Sequence, residues 1–154
     1  MVATFSYTDV NGKWRDNNDL KINTMAMKKI LKIKWQRLLH EGRTCPRCES
    51  TGDEIEKAVT ILKESLKPMN IEVVLEKEAL TDTQFRNDTL ESNRIWINGI
   101  PIEEYIGGKV GQSTCCDVCG PHECRTVNVG KEVLETIPSD TIVKAGLLAA
   151  SSMI

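Results

Sequence analysis

From Leu31 the chain alternates apolar and polar positions, with Leu31, Ile33 and Trp35 set between Lys32, Lys34 and Gln36. A period of two turns one side of a strand toward a core and the other toward water, so the pattern predicts a half-buried strand within Lys28–Leu39. His40-Glu41-Gly42 then loops into Arg43-Thr44-Cys45-Pro46-Arg47-Cys48. Beyond it the period lengthens. Ile55, Val59, Leu62 and Leu66 recur at steps of four, three and four, which lines one face of a helix. Ser50 or Thr51 is the expected cap, with Glu54 completing a capping box, and Pro68 is the expected stop. Ile71–Leu75, rich in β-branched residues, predicts a second strand.

The second half is more broken. Thr81–Glu91 is polar and reads as a short helix or loop. Arg94–Ile97 predicts a third strand, and Asn98-Gly99 predicts a tight hairpin, since both residues accept positive φ. Ile100-Pro101-Ile102 begins the returning strand at a sheet edge, where proline is tolerated. Tyr105-Ile106-Gly107-Gly108 turns the chain again. A small hairpin about Gly130 is expected from Thr126–Val129 and Val133–Thr136, and a C-terminal helix from Ile142, Val143, Leu147 and Leu148, capped by Ser139. Residues 1–26 are polar and turn-rich, and are expected to form a flexible N-terminal extension to one domain at residues 27–154.

Composition changes this picture little. With 154 residues, 40% of them hydrophobic, the chain can build one real core. A net charge of -2 gives no reason to expect nucleic acid as a partner. No apolar run approaches the ~18 residues of a membrane span, and the N-terminus has no secretory apolar core. A cytoplasmic setting is therefore expected. There, six cysteines point to redox chemistry or metal binding before structural staples.

The cysteines form two groups. Cys45 and Cys48 sit before a helix, whose free amides and positive end favour thiolate over thiol. Arg43 and Arg47 add positive charge, and Glu49 opposes it. Because the thiolate is the nucleophile, Cys45 is the candidate attacking residue and Cys48 the resolving one. Half of a zinc site, or a merely buried Cys48, is the alternative. The second group holds Cys115, Cys116, Cys119 and Cys124 with His122, a soft-metal ligand set within ten residues. Zinc is conceivable. So is an iron–sulfur cluster, although the spacing matches no standard ferredoxin run. The adjacent Cys115 and Cys116 do not easily serve one metal together. A disulfide-stapled loop, or a pair exchanging with Cys45 and Cys48, fits the same residues. Arg125 is a candidate for stabilising a thiolate or binding an anionic substrate. His40 is a weaker candidate base.

The order strand, CxxC, helix, strand, helix or loop, strand, Asn-Gly hairpin, strand, helix resembles a thioredoxin fold. Arg94-Ile95-Trp96-Ile97-Asn98-Gly99 and Cys45-Pro46-Arg47-Cys48 resemble the corresponding stretches of glutaredoxins. Residues 28–150 are more similar still to small microbial thioredoxin-like proteins of unassigned function. These share Thr44-Cys45-Pro46-Arg47-Cys48, Ser92-Asn93 before the Ile-Asn-Gly strand, and Cys115-Cys116 through Cys119-Gly120 to Cys124-Arg125-Thr126. The resemblance implies an α/β thioredoxin-like fold, a central mixed sheet flanked by helices, with a cysteine-rich loop insertion. One departure stands out. Asn93 matches the cis-proline position of thioredoxins and glutaredoxins, which holds substrate backbone and keeps metal from the thiols. The substitution puts ordinary disulfide reduction in doubt and makes Asn93 a candidate substrate-binding residue.

Three readings remain open from the sequence. One is a thiol–disulfide redox protein, a possible oxidoreductase, acting on a protein disulfide or small thiol, with the second cluster covering the first or relaying to it. Another is a protein binding a thiophilic metal or metalloid. The third is a redox-inert module with structural cysteines.

Overall fold

A computed structural model describes residues 7–8, 10–15 and 27–154. The flexible extension expected at residues 1–26 thus lies largely outside the described residues. Within that stretch, β1 (Tyr7–Thr8) pairs antiparallel with β2 (Trp14–Arg15).

The predicted alternation becomes β3 (Lys29–Leu38), which buries Leu31, Ile33, Trp35 and Leu38. It runs parallel to β4 (Ile71–Leu80) over its whole length, Lys29 opposite Ile71 and Leu38 opposite Leu80. The second strand is therefore twice as long as its apolar run suggested. Its C-terminal half is mostly exposed, which removes the periodic signal while the ladder to β3 persists. On its other side β3 pairs antiparallel with β5 (Arg94–Ile97), Ile33 opposite Ile97 and Trp35 opposite Ile95. Asn98 and Gly99, at φ 51° and 79°, turn the chain into β6 (Ile100–Pro101). The sheet order is β4-β3-β5-β6. This is a mixed sheet flanked by helices, compatible with the thioredoxin-like order of elements.

The helix α1 (Pro46–Leu66) buries Ile55, Ala58, Val59, Leu62 and Leu66. It does not start at Ser50 or Thr51 as expected. Pro46 occupies its first turn, where a fixed φ and a missing N–H cost nothing, and Cys45 is its cap. Thr51 is instead fully buried, its hydroxyl accepting from the Ile137 amide at 3.4 Å. Gly52 is required for close packing: a β-carbon there would lie 2.7 Å from the Trp35 ring. A capping box does form elsewhere, between Thr81 and Gln84 at the start of α2 (Asp82–Asn87).

The returning strand β6 is short, because the chain enters α3 (Ile102–Ile106) immediately. The rest forms a second, antiparallel sheet: β7 (Lys109–Thr114), β8 (Glu123–Val129) and β9 (Glu132–Leu134), in the order β7-β8-β9. The cysteine-rich insertion is thus the tip of the β7–β8 hairpin, with a 3-10 turn at Asp117–Cys119. The last helix, α4 (Ser139–Ser151), packs on α1, where Gly146 abuts Leu62. Its N-cap is Pro138; the Ser139 amide donates to the Glu54 carboxylate at 2.8 Å.

Candidate functional site

Cys45 caps α1 in extended conformation, and its sulfur accepts from the Cys48 amide at 3.5 Å. The two sulfurs stay in contact but have different further neighbours. The Cys48 sulfur lies 3.7 Å from the Ser92 hydroxyl, which itself accepts from the Leu38 amide at 3.0 Å. The Cys45 sulfur faces the β7–β8 hairpin. Arg47 docks that hairpin onto the start of α1. Its guanidinium donates to the Thr114 carbonyl at 2.9 Å and pairs with Glu135 at 3.1 Å.

The hairpin tip partitions its four cysteines. Cys115 and Cys124 are joined by a disulfide, with Cα atoms 5.2 Å apart. The Cys115 amide donates to the His122 carbonyl at 2.9 Å, closing the tip. Cys116 and Cys119 remain free thiols, as do Cys45 and Cys48. The sulfurs of Cys45, Cys116 and Cys119 all lie within 4.8 Å of one another, and so do those of Cys115, Cys119 and Cys124. Cys119 belongs to both groups. The first group is close enough to hold a metal ion, whereas two sulfurs of the second are tied up in the disulfide and would ligate only once it is reduced.

Electrostatics divide the thiols. Hydrogen bonds donated by Cys119 and Cys48 hold Cys45 far below the ordinary thiol range, against the opposing effect of burial. Cys48 and Cys119 are pushed up, each first by its hydrogen bond to Cys45 and then by burial. The arrangement favours a single thiolate on Cys45 held between two thiols. It is nevertheless hidden: Cys45 is 2% exposed, and Cys116 is the only partly exposed free thiol among the described residues. A surface cleft bordered by Trp35, Arg43, Thr44 and Gly52 runs beside the motif, but no cysteine lines it.

Other expected site residues lie in different surroundings. His122 belongs to neither sulfur group; its ring meets Phe85 edge-on, centroids 5.7 Å apart. Asn93 is buried, accepting from the Trp35 indole at 3.3 Å and donating to the Glu135 carbonyl at 3.3 Å. Its φ of 60° is left-handed, and no cis peptide occurs among the described residues. Arg125 is buried against Glu103, donating through Nε at 3.0 Å and Nη2 at 2.7 Å, with a further bond to the Leu90 carbonyl. Both Asn93 and Arg125 therefore have protein partners where the sequence suggested substrate contacts. His40 pairs with Asp82 at 2.9 Å. Ser92 and Glu103 had not been singled out for these roles. Ser92 had a signal, standing in the Ser-Asn pair before β5, whereas Glu103, next to Glu104 in sequence, has none that marks it as buried.

The comparisons place the cysteine-bearing segment within a family. Residues 31–146 match a family model described as a domain of unknown function, DUF2703. The chain belongs to this family. A relative from Archaeoglobus fulgidus, described as an uncharacterized protein, is 48% identical over 112 residues, covering 73% of this chain and 82% of the relative. No solved structure matches. Neither description names a fold, an activity or a cofactor. Among the described residues, no helix is long and apolar enough to cross a membrane.

Proposed function

We propose that this is a thiol–disulfide redox protein with an internal relay, in which Cys119 carries electrons between the Cys45–Cys48 dithiol and the Cys115–Cys124 disulfide. The observation that supports this most directly is the double membership of Cys119, whose sulfur lies within 4.8 Å of Cys45 on one side and of both disulfide sulfurs on the other.

The exchange balances without an outside redox agent. Cys119 passes its hydrogen-bonded proton to the Cys45 thiolate and attacks one sulfur of the disulfide; a mixed disulfide forms, and the other sulfur leaves as a thiolate that takes the proton back from Cys45. Cys45 then attacks Cys119, releasing the second hairpin thiolate. Cys48, after losing its proton, attacks Cys45 and frees Cys119. The net result is a Cys45–Cys48 disulfide and a Cys115, Cys116, Cys119, Cys124 set of thiols, with two electrons moved. The low Cys45 pKa makes it a poised nucleophile and a good leaving group. The external partner is a protein disulfide or dithiol, or a small thiol, and it sets the direction of flow. Half-buried Cys116 is the nearest free thiol to solvent and marks where that partner approaches.

The test is anaerobic. Protein oxidised at Cys115–Cys124 is incubated, alkylated in acid-quenched aliquots and mapped by mass spectrometry. The expected result is exchange of the disulfide between the two pairs in the native chain, and arrest of that exchange in Cys119→Ser. Equal exchange rates in the two proteins would remove Cys119 from the path and overturn the relay.

A further inference from the structure

We propose that Cys45, Cys116 and Cys119 form a three-thiolate site for a trivalent metalloid, of the arsenite or antimonite class. No electron moves in this binding, which needs only the state shown, with the disulfide at Cys115–Cys124 and Cys45, Cys116 and Cys119 free.

Three features select that class. The first is the number of sulfurs. Three lie within 4.8 Å of one another, while the remaining free thiol, Cys48, is outside the group and faces Ser92 at 3.7 Å. Structural zinc takes four protein ligands, whereas a trivalent metalloid with a lone pair takes three. The second is charge. A trivalent centre with three thiolates is neutral, but a divalent ion with the same ligands leaves one net negative charge. Cys45 and Cys119 are 2% and 6% exposed, and an uncompensated charge in such a place is costly. The third is access. Cys116 is only half-buried, so the group is closed on the α1 side and open at the hairpin tip.

The two elements supply the ligands in a way that favours preorganisation. Cys45 is fixed as the cap of α1, and Arg47 ties that end to Thr114 and Glu135 beside the hairpin. The Cys115–Cys124 disulfide withholds two further sulfurs and sets Cys116 and Cys119 within a closed loop. Binding is a ligand exchange. Arsenous acid gives up three hydroxyl groups, three As–O bonds break and three As–S bonds form. Each hydroxyl leaves as water, taking its proton from the thiol that replaces it or, where the sulfur is ionised, from solvent. The oxidation state of arsenic is unchanged.

The probe is sodium arsenite added anaerobically to the full-length, metal-free protein. Native mass spectrometry counts arsenic per chain, X-ray absorption at the arsenic edge counts sulfur neighbours, and a titration gives affinity. The expected results are one arsenic, three sulfurs, and affinity lower by roughly tenfold or more in each of Cys45→Ser, Cys116→Ser and Cys119→Ser. Cys48→Ser should retain affinity within about threefold. Cys116 is half-buried, so Cys116→Ser is the variant whose fold is least at risk, checked by circular dichroism. Native-like arsenite affinity in folded Cys116→Ser overturns the site. So do two or four sulfur neighbours, loss of binding in Cys48→Ser equal to the others, or a zinc ion held by these thiols that arsenite does not displace.

Discussion

The indole N–H of Trp35 donates to Oδ1 of Asn93 at 3.3 Å, joining the central strand to the residue just before β5. Asn93 reaches this position in a left-handed conformation, φ 60°, and its amide group also holds the Glu135 carbonyl. Asparagine suits the place because it tolerates that backbone and carries both a donor and an acceptor.

Asn93→Ala keeps the unfavourable φ and leaves the Trp35 N–H without its acceptor. A loss of about 2–4 kcal/mol is expected, from the backbone preference and the buried polar group together. Asn93→Gly relieves the backbone and should lose less. Asn93→Pro is the harshest, since proline fixes φ near -65°. Urea unfolding midpoints at constant m-value check the order Gly, Ala, Pro.

The thiolate on Cys45 should be visible in acid. Hydrogen bonds from Cys119 and Cys48 lower its folded-state pKa, so its contribution to stability is present above the ordinary thiol pKa and is lost as pH falls toward the folded value. Cys48 and Cys119 have raised values, and their contributions are lost as pH rises from the ordinary range. Ultraviolet thiolate absorbance of metal-free protein with the Cys115–Cys124 disulfide intact and the other four thiols free should persist down to about pH 5. It should disappear in Cys45→Ser and titrate at higher pH in Cys119→Ser. Absorbance rising only near pH 8–9 in the native chain would show that no such thiolate exists.

Arg125 and Glu103, both nearly inaccessible, form a buried pair. Arg125→Met strands the Glu103 carboxylate, one oxygen of which is already buried without a partner. A cost of about 3–5 kcal/mol is expected. The double variant Arg125→Met, Glu103→Met should be more stable than either single one, because no charge is left unpaired. A double-mutant cycle in urea reads this directly. A single Arg125 variant with native stability and a purely kinetic defect would instead assign Arg125 to substrate.

The sheet was legible where burial imposed a period. Leu31, Ile33 and Trp35 marked β3, and Asn98-Gly99 marked the β5–β6 turn. β7 left no comparable pattern: Val110 is exposed, and Gly111 and Ser113 offer no apolar face. The start of α1 was misplaced because a hydroxyl is the commoner cap, whereas here Pro46 begins the helix and a thiol caps it. That the second cysteine group could bind a metal or form a disulfide was readable from residue type. The division of its cysteines was not. Which of Cys115 and Cys116 joins Cys124 depends on the end of the β7–β8 ladder, where Ser113 opposes Cys124, and spacing alone does not fix that register.

The Cys115–Cys124 bond spans nine positions and encloses Cys116 and Cys119. A tether of that size restricts the open chain by about 3 kcal/mol. Reducing it therefore does more than add two electrons: it unfastens the tip of a hairpin that covers Cys45. The oxidation state of that one bond is thereby written into the looseness of one short segment.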